Sequence, residues 1–343
     1  MNFSDIKYNF IIGHGRGGTT LLLYILNAHP QIYGLPEFKN ILISKDAKGN
    51  EFQSITERYL QRLEKRSFLN NLPDTFKSKK VDRDLYQSAF SNNLPLREKY
   101  IRLALSINKV FDLPNRDKTT VTHIIHKVPY YTFYVDEILE IFPEAKFIIN
   151  IRDPRAQNYS HIKRHSTEKL FLGKSHPEGR SILWNFYAEE TLQLLNKYPD
   201  KCYLFQYEKF VENPEKIIRE ILSFLQVPYN ESVWNFHVPV KSFLEHARPY
   251  LSENKLKKYI PLSAPVTTKY KEDWKKMNPK DIEIIEYVCK KHMLSFGYSP
   301  LNTSPSVSLY SKMKKHFYYC WYWLAIHSPL GKYIHKIFQL YFF

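Results

Sequence analysis

Cysteine, glycine and acid are all scarce in this chain, and each scarcity closes off a class of protein. The three cysteines, Cys202, Cys289 and Cys320, are odd in number and form no C-x-x-C pair, which argues against a disulfide framework. The expected setting is therefore reduced and cytoplasmic. No stretch reaches the ~20 apolar residues of a membrane-crossing helix. The amino terminus has no basic region followed by a short apolar core; Tyr8-Asn9-Phe10-Ile11-Ile12 already reads as a strand. No group of His, Cys, Asp and Glu has metal-ligand spacing, so no metal is expected. Acid is outnumbered, 34 Asp and Glu against 50 Lys and Arg, for a formal charge of +16. Such a balance suits an anionic ligand, nucleic acid or an anionic membrane. The lysines are spread along the chain with no concentrated basic element, so nucleic acid is not expected as a partner.

Glycine is informative because so little of it is present. Of 10 glycines in 343 residues, four fall in Gly13-His14-Gly15-Arg16-Gly17-Gly18. Apolar residues precede this run and a helical pattern, Thr19-Thr20-Leu21-Leu22, follows it. A strand, a glycine loop and a helix in that order turn backbone N–H groups and the positive helix end toward one point, where a phosphate or sulfate fits. The spacing of Gly13 and Gly18 matches the nucleotide template G-x-x-x-x-G-K-[ST], but Thr19 stands where the lysine belongs. A nucleoside-triphosphate enzyme normally needs that lysine on the terminal phosphates. The nearest cation is Arg16, expected to be exposed in the loop. The bland alternative is a glycine-rich turn.

A second anion site is suggested by Lys146-Phe147-Ile148-Ile149-Asn150-Ile151, which reads as a buried parallel strand. Arg152-Asp153-Pro154-Arg155 closes it, with Asp153 as N-cap and Pro154 at the first helical position. Ser160 and Arg164 then lie on one helix face. Arg152, Ser160 and Arg164 could converge on one phosphate; a capped helix with two solvated arginines is the alternative.

These motifs resemble those of sulfotransferases that use 3′-phosphoadenosine 5′-phosphosulfate (PAPS). Gly15-Arg16-Gly17-Gly18-Thr19-Thr20-Leu21 looks like their phosphosulfate loop, commonly P-[KR]-[SAG]-G-T-T-x-L, with Gly15 for proline and Gly17 for the commoner serine or alanine. Leu26-Asn27-Ala28-His29-Pro30 is similar to the L-x-x-H-P that often ends the first helix. In that family an arginine ending a strand and a serine eight residues later hold the 3′-phosphate, the separation of Arg152 and Ser160. Tyr207-Glu208-Lys209-Phe210 through Pro214-Glu215 resembles a further family segment, and Thr267-Thr268-Lys269-Tyr270 through Trp274-Lys275 the late loop over the donor. The layout is most like the tyrosylprotein sulfotransferase branch and related bacterial sulfotransferases. That likeness implies Glu37 as catalytic base, Lys127 and Arg16 as catalytic cations, and Gly17, Gly18, Thr19, Thr20, Tyr207 and Lys269 as donor contacts. The basic pair that grips acidic peptides in that branch is not reproduced; only Lys39 is nearby.

The chemistry agrees with the residue types. Sulfuryl transfer needs a base for the acceptor hydroxyl and cations for charge growing on the leaving oxygen. PAPS would be the donor and adenosine 3′,5′-bisphosphate (PAP) the product, with no metal required. The other readings are a P-loop phosphotransferase or kinase and a non-catalytic basic binding protein. The acceptor, whether carbohydrate, lipid, peptide tyrosine or small molecule, is not legible. The expected fold is α/β: a P-loop-like, three-layer arrangement with a central parallel sheet flanked by helices. Residues 1–300 would form the catalytic domain, with a mainly helical insertion at 38–120 (helices at 51–63 and 96–111) on the acceptor side. Residues 301–343 form an aromatic, helical tail whose lysines suit peripheral membrane contact. A hairpin packed on the domain or a dimer contact is the alternative for the tail.

Overall fold

The computed structural model describes residues 2–35, 37, 40–47, 51–58, 82–91, 93–107, 117–165, 176–250, 256, 259–302 and 305–331. Five strands, β1 (Lys7–Gly13), β2 (Ile32–Leu35), β3 (His123–Lys127), β4 (Phe147–Ile151) and β5 (Cys202–Gln206), form one sheet in the order β2-β3-β1-β4-β5. Every pairing is parallel, with Ile11 opposite Lys127, Leu35 opposite His126 and Gly13 opposite Asn150. Strands β1 to β4 are buried almost throughout because both faces of the sheet are covered, and β4 in particular is a nearly continuous apolar run.

The principal helices are α1 (Thr19–Asn27), α2 (Leu96–Ser106), α3 (Val135–Ile141), α4 (Pro154–His165), α5 (Pro177–Lys197), α6 (Pro214–Leu225), α7 (Pro279–Ser295) and α8 (Leu309–His327). Strand side chains alternate between the two faces. Phe10, Ile12, Ile124 and Ile149 pack with Leu103 of α2 and Ile138 of α3. Ile11, Ile125 and Ile148 pack on the other face with Leu22 of α1 and Ile221 of α6. The architecture is the P-loop-like three-layer fold. A third core joins α5, α7 and α8 through Trp184, Cys289, Met293, Tyr318 and Tyr322.

Local sequence explains the helix limits. In α6, Pro214 starts the helix and Ile217, Ile218, Ile221, Leu222 and Leu225 form its buried stripe. Gln226, at φ 62°, then reverses the chain, and Val227 N–H donates to Leu222 O at 2.9 Å, closing the exposed carbonyls. Within 38–120 the described helices are Asn40–Ser44, residues 51–58, Arg83–Ser88 and α2. Helix α2 ends at Ser106; residues 59–63 and 108–111, which the sequence also suggested as helix, lie outside the described residues. The tail forms α8 and packs against α5 and α7, as in the packed alternative; residues 332–343 lie outside the description.

Strand β1 leads into α1 on one face, whereas neighbouring β3 leads through α3 to β4 on the other. Adjacent strands whose connections leave toward opposite faces open a crevice at their carboxyl ends. That crevice holds the candidate site.

Candidate active site

The loop between β1 and α1 is shaped by positions that exclude side chains. Gly13 has φ 111°, and a Cβ there would run into the backbone carbonyl of Asn150 on β4. Gly18 has φ 94°, and a Cβ would meet the Tyr207 ring at 2.5 Å. Gly13 N–H donates to Thr132 Oγ1 at 2.8 Å, and Asn150 Nδ2 donates to Gly17 O. Helix α1 starts at Thr19 with no side-chain cap, so its first-turn N–H groups and positive end face the loop. Thr19 is buried and Thr20 half-buried.

Arg16 departs from expectation. It is half-buried, not exposed, and its backbone is left-handed at φ 68°. That conformation, unusual without glycine, sends the guanidinium to α4, where Nε and Nη2 donate to Ser160 Oγ at 3.1 and 2.9 Å. Arg152, just past β4, meets the same loop: Nη1 donates to Arg16 O at 3.2 Å and Nη2 to Tyr270 O at 2.8 Å. Its guanidinium lies 4.2 Å from the Tyr207 ring centre. Burial raises the Tyr207 phenol above its ordinary range, while Arg152 and Arg16 pull the other way. The two anion sites read separately from the sequence thus share Arg16, Arg152 and Ser160. Lys269 is exposed; its backbone N–H donates to Thr267 Oγ1 at 3.2 Å, and the following carbonyl is the one Arg152 holds. Arg164 lies one turn beyond Ser160 on α4, and its side chain lies outside the described residues, as does Lys39.

Glu37 and Lys127 meet at the other end of the loop. Lys127 is the last residue of β3 and, by alternation, shares the α1 face of the sheet with Ile125. Its Nζ lies 2.5 Å from Glu37 Oε1, with the lysine side chain buried and the carboxylate half-exposed. Tyr187 of α5 is buried beside this pair. Burial, then the Glu37 carboxylate, push its phenol above the ordinary range. Its ring stands 4.5 Å from that of His14, the first residue after β1. The two histidines of β3, His123 and His126, lie away from this pair. His126 is fully buried, with Nδ1 3.1 Å from Tyr8 Oη. His123 lies at the far end of the strand, with Nε2 3.2 Å from Leu225 O.

A buried clamp behind the site was not read from the sequence. Asp153 caps α4, accepting from Arg155 N–H at 2.8 Å, as expected, and also pairs with the Arg155 guanidinium at 2.6 Å. Arg155 pairs in turn with Glu286 of α7 at 2.6 Å and lies 4.0 Å from the Trp274 ring centre. Arg155 is therefore a buried tie between α4, α7 and the loop around Trp274. Tyr187 also escaped notice, since α5 has no motif. Asn150 left a signal, a polar residue at the end of an apolar strand.

A model described as "Sulfotransferase family" matches residues 9–231, a span that includes the loop, Glu37, Lys127, Arg152, Ser160 and Tyr207. The chain belongs to the sulfotransferase family. Protein-tyrosine sulfotransferase 1 of Danio rerio is 26% identical over 67% of this chain and 56% of its own length. Omega-hydroxy-beta-dihydromenaquinone-9 sulfotransferase Stf3 of Mycobacterium bovis is 25% identical over 63% of this chain and 62% of its own. The chain spans about half the length of the curated relatives it matches. Its fold is that of the sulfotransferase domain from a Synechococcus olefin synthase, with a TM-score of 0.54 at 19% identity, covering 86% of this chain and 96% of that one. Among the described residues, no helix is long and apolar enough to cross a membrane.

Proposed function

We propose that this sulfotransferase takes its sulfuryl group from PAPS and passes it to an acceptor hydroxyl by in-line displacement. The observation behind this reading is the convergence of Arg16, Arg152 and Ser160 beside the uncapped start of α1. Two guanidinium groups, a hydroxyl and open backbone N–H groups suit a ligand carrying two anionic groups. Arg152 Nε is buried and has no hydrogen-bond partner among the described residues, a donor that an anion would satisfy. When bound, PAPS supplies the electrophilic sulfur and leaves as PAP.

The remaining tasks fall to the chain. Arg152 and Ser160 hold the 3′-phosphate, aided by Arg164 and Lys269, while Tyr207 packs beneath. Gly17, Gly18, Thr19 and Thr20 bind the phosphosulfate through the loop and the helix end. Glu37 takes the proton from the acceptor hydroxyl. Lys127, paired with Glu37, fixes that carboxylate at the mouth and, with Arg16, offsets charge on the leaving oxygen. No metal has a task in this scheme. The acceptor is a hydroxyl-bearing molecule, not nucleic acid.

Calorimetric titration with PAP and with adenosine 5′-monophosphate tests the donor. PAP is expected to bind roughly tenfold to a hundredfold more tightly, the range of one or two charge-assisted contacts. Arg152→Ala should remove most of that margin. Equal affinities in the unmutated protein would overturn the assignment.

A further inference from the structure

Helix α8 is apolar on two sides. Tyr318, Tyr322 and Ile326 bury one side against the domain. On the opposite side Leu309, Met313, Phe317 and Leu324 recur at helical spacing and are 75%, 65%, 56% and 53% exposed. Trp321 and Trp323 flank this stripe to either side, 38% and 47% exposed. An outward face so rich in large apolar and aromatic residues marks a docking surface, since isolated exposed residues need no partner but a contiguous stripe does.

Charge selects the partner. Residues 301–343 contain Lys312, Lys314, Lys315, Lys332 and Lys336 and not a single aspartate or glutamate. A second copy of the helix would set lysines against lysines with no acid to offset them. An anionic lipid surface supplies the missing negative charge, an apolar layer for Phe317 and Leu324, and a headgroup zone suited to tryptophan. The geometry points to α8 as a peripheral anchor that lies in the plane of an anionic bilayer, its Leu309–Leu324 stripe in the acyl boundary and Lys312 and Lys314 among the headgroups. Lys315 stays with the domain, 4.7 Å from the Tyr287 ring centre. The anchor does not depend on the choice of sulfuryl donor.

Co-sedimentation of the full chain with vesicles tests this. The protein should pellet with phosphatidylcholine vesicles containing about 30% phosphatidylglycerol, should stay in solution with phosphatidylcholine alone, and should release at high salt. The triple variant Phe317→Ser, Trp321→Ser, Leu324→Ser should lose roughly tenfold or more in partitioning while its PAP affinity and melting transition match the parent. Should that variant unfold, Lys312→Gln with Lys314→Gln changes only exposed or partly exposed polar positions and is expected to weaken binding about fivefold per lysine. Equal binding to neutral and anionic vesicles would overturn the proposal. So would a triple variant that folds and binds like the parent, a lysine variant that binds unchanged, or a stripe-dependent dimer that ignores vesicles.

Discussion

Strand β3 carries an ionisable side chain at each end, and the two have opposite fates. His123, at the start, is enclosed: Thr122 Oγ1 lies 2.8 Å from Nδ1 and Leu225 O lies 3.2 Å from Nε2. Burial above all, then the charge of Lys7, push its pKa down to about 4, so it is neutral near pH 7. Lys127, at the other end, is equally buried but faces a carboxylate at the mouth of a crevice. Both residues lie on the same strand and, by alternation, on the same face. Their position along a parallel strand decides the role: carboxyl ends open onto the crevice, whereas amino ends are closed by the preceding connections.

Replacing the acid at the open end should have the largest effect. Glu37→Gln keeps size and hydrogen bonding but cannot take a proton, so turnover should fall roughly 10²–10⁴-fold with PAP affinity nearly unchanged. Single-turnover rates with a hydroxyl acceptor check this; an unaltered rate would move the base elsewhere and dissolve the contrast between the strand's two ends. Next comes the loop cation. Arg16→Ala should cost on the order of 2–4 kcal/mol of transition-state stabilisation. Because Arg16 is tied to Ser160, the same change should also weaken PAP binding, a second loss that an isolated loop cation would not show. Parallel kinetics and titration separate the two losses.

The closed end sharpens the comparison through stability. The folded pKa of His123 lies below its unfolded value near 6.5. Between those values the unfolded chain binds more protons, so this stabilisation is full above about pH 6.5 and drains away as pH falls toward 4. It amounts to at most about 3 kcal/mol. His123→Gln should flatten the decline in melting temperature between pH 7 and pH 4 while leaving turnover at pH 7 largely intact. A steep loss of turnover would show that the closed end also serves the chemistry.

What could be read from the sequence was what is written locally. The glycine loop and the N-capped Arg152-Asp153-Pro154 turn each lie within one segment, so spacing alone placed them, and the eight-residue step to Ser160 was legible through the family resemblance. Lys127 and Glu37 were named by resemblance, and their meeting depends on Leu35 pairing beside His126 in the sheet. Arg16 was misjudged because its exposure turns on one left-handed backbone angle that a run of glycines conceals. Arg155 and Glu286 lie too far apart in sequence for any spacing rule to connect them. Tyr187 belongs to a helix whose pattern reads as ordinary packing.

The Glu286 carboxylate has one more consequence, for where this chain can be cut. Besides Arg155, it accepts from the backbone N–H groups of Leu301 at 2.9 Å and Asn302 at 3.2 Å. The first residues of the aromatic tail are thus stitched to the same buried acid that steadies the helix bearing Ser160. Truncation at residue 300 would remove both backbone donors and leave a buried carboxylate relying on Arg155 alone, an arrangement with a high desolvation cost. A shortened form retaining residues through Asn302 keeps both donors, yet it still strips Tyr318, Tyr322 and Ile326 from the core that α8 shares with α5 and α7, so no clean seam separates this tail helix from the rest.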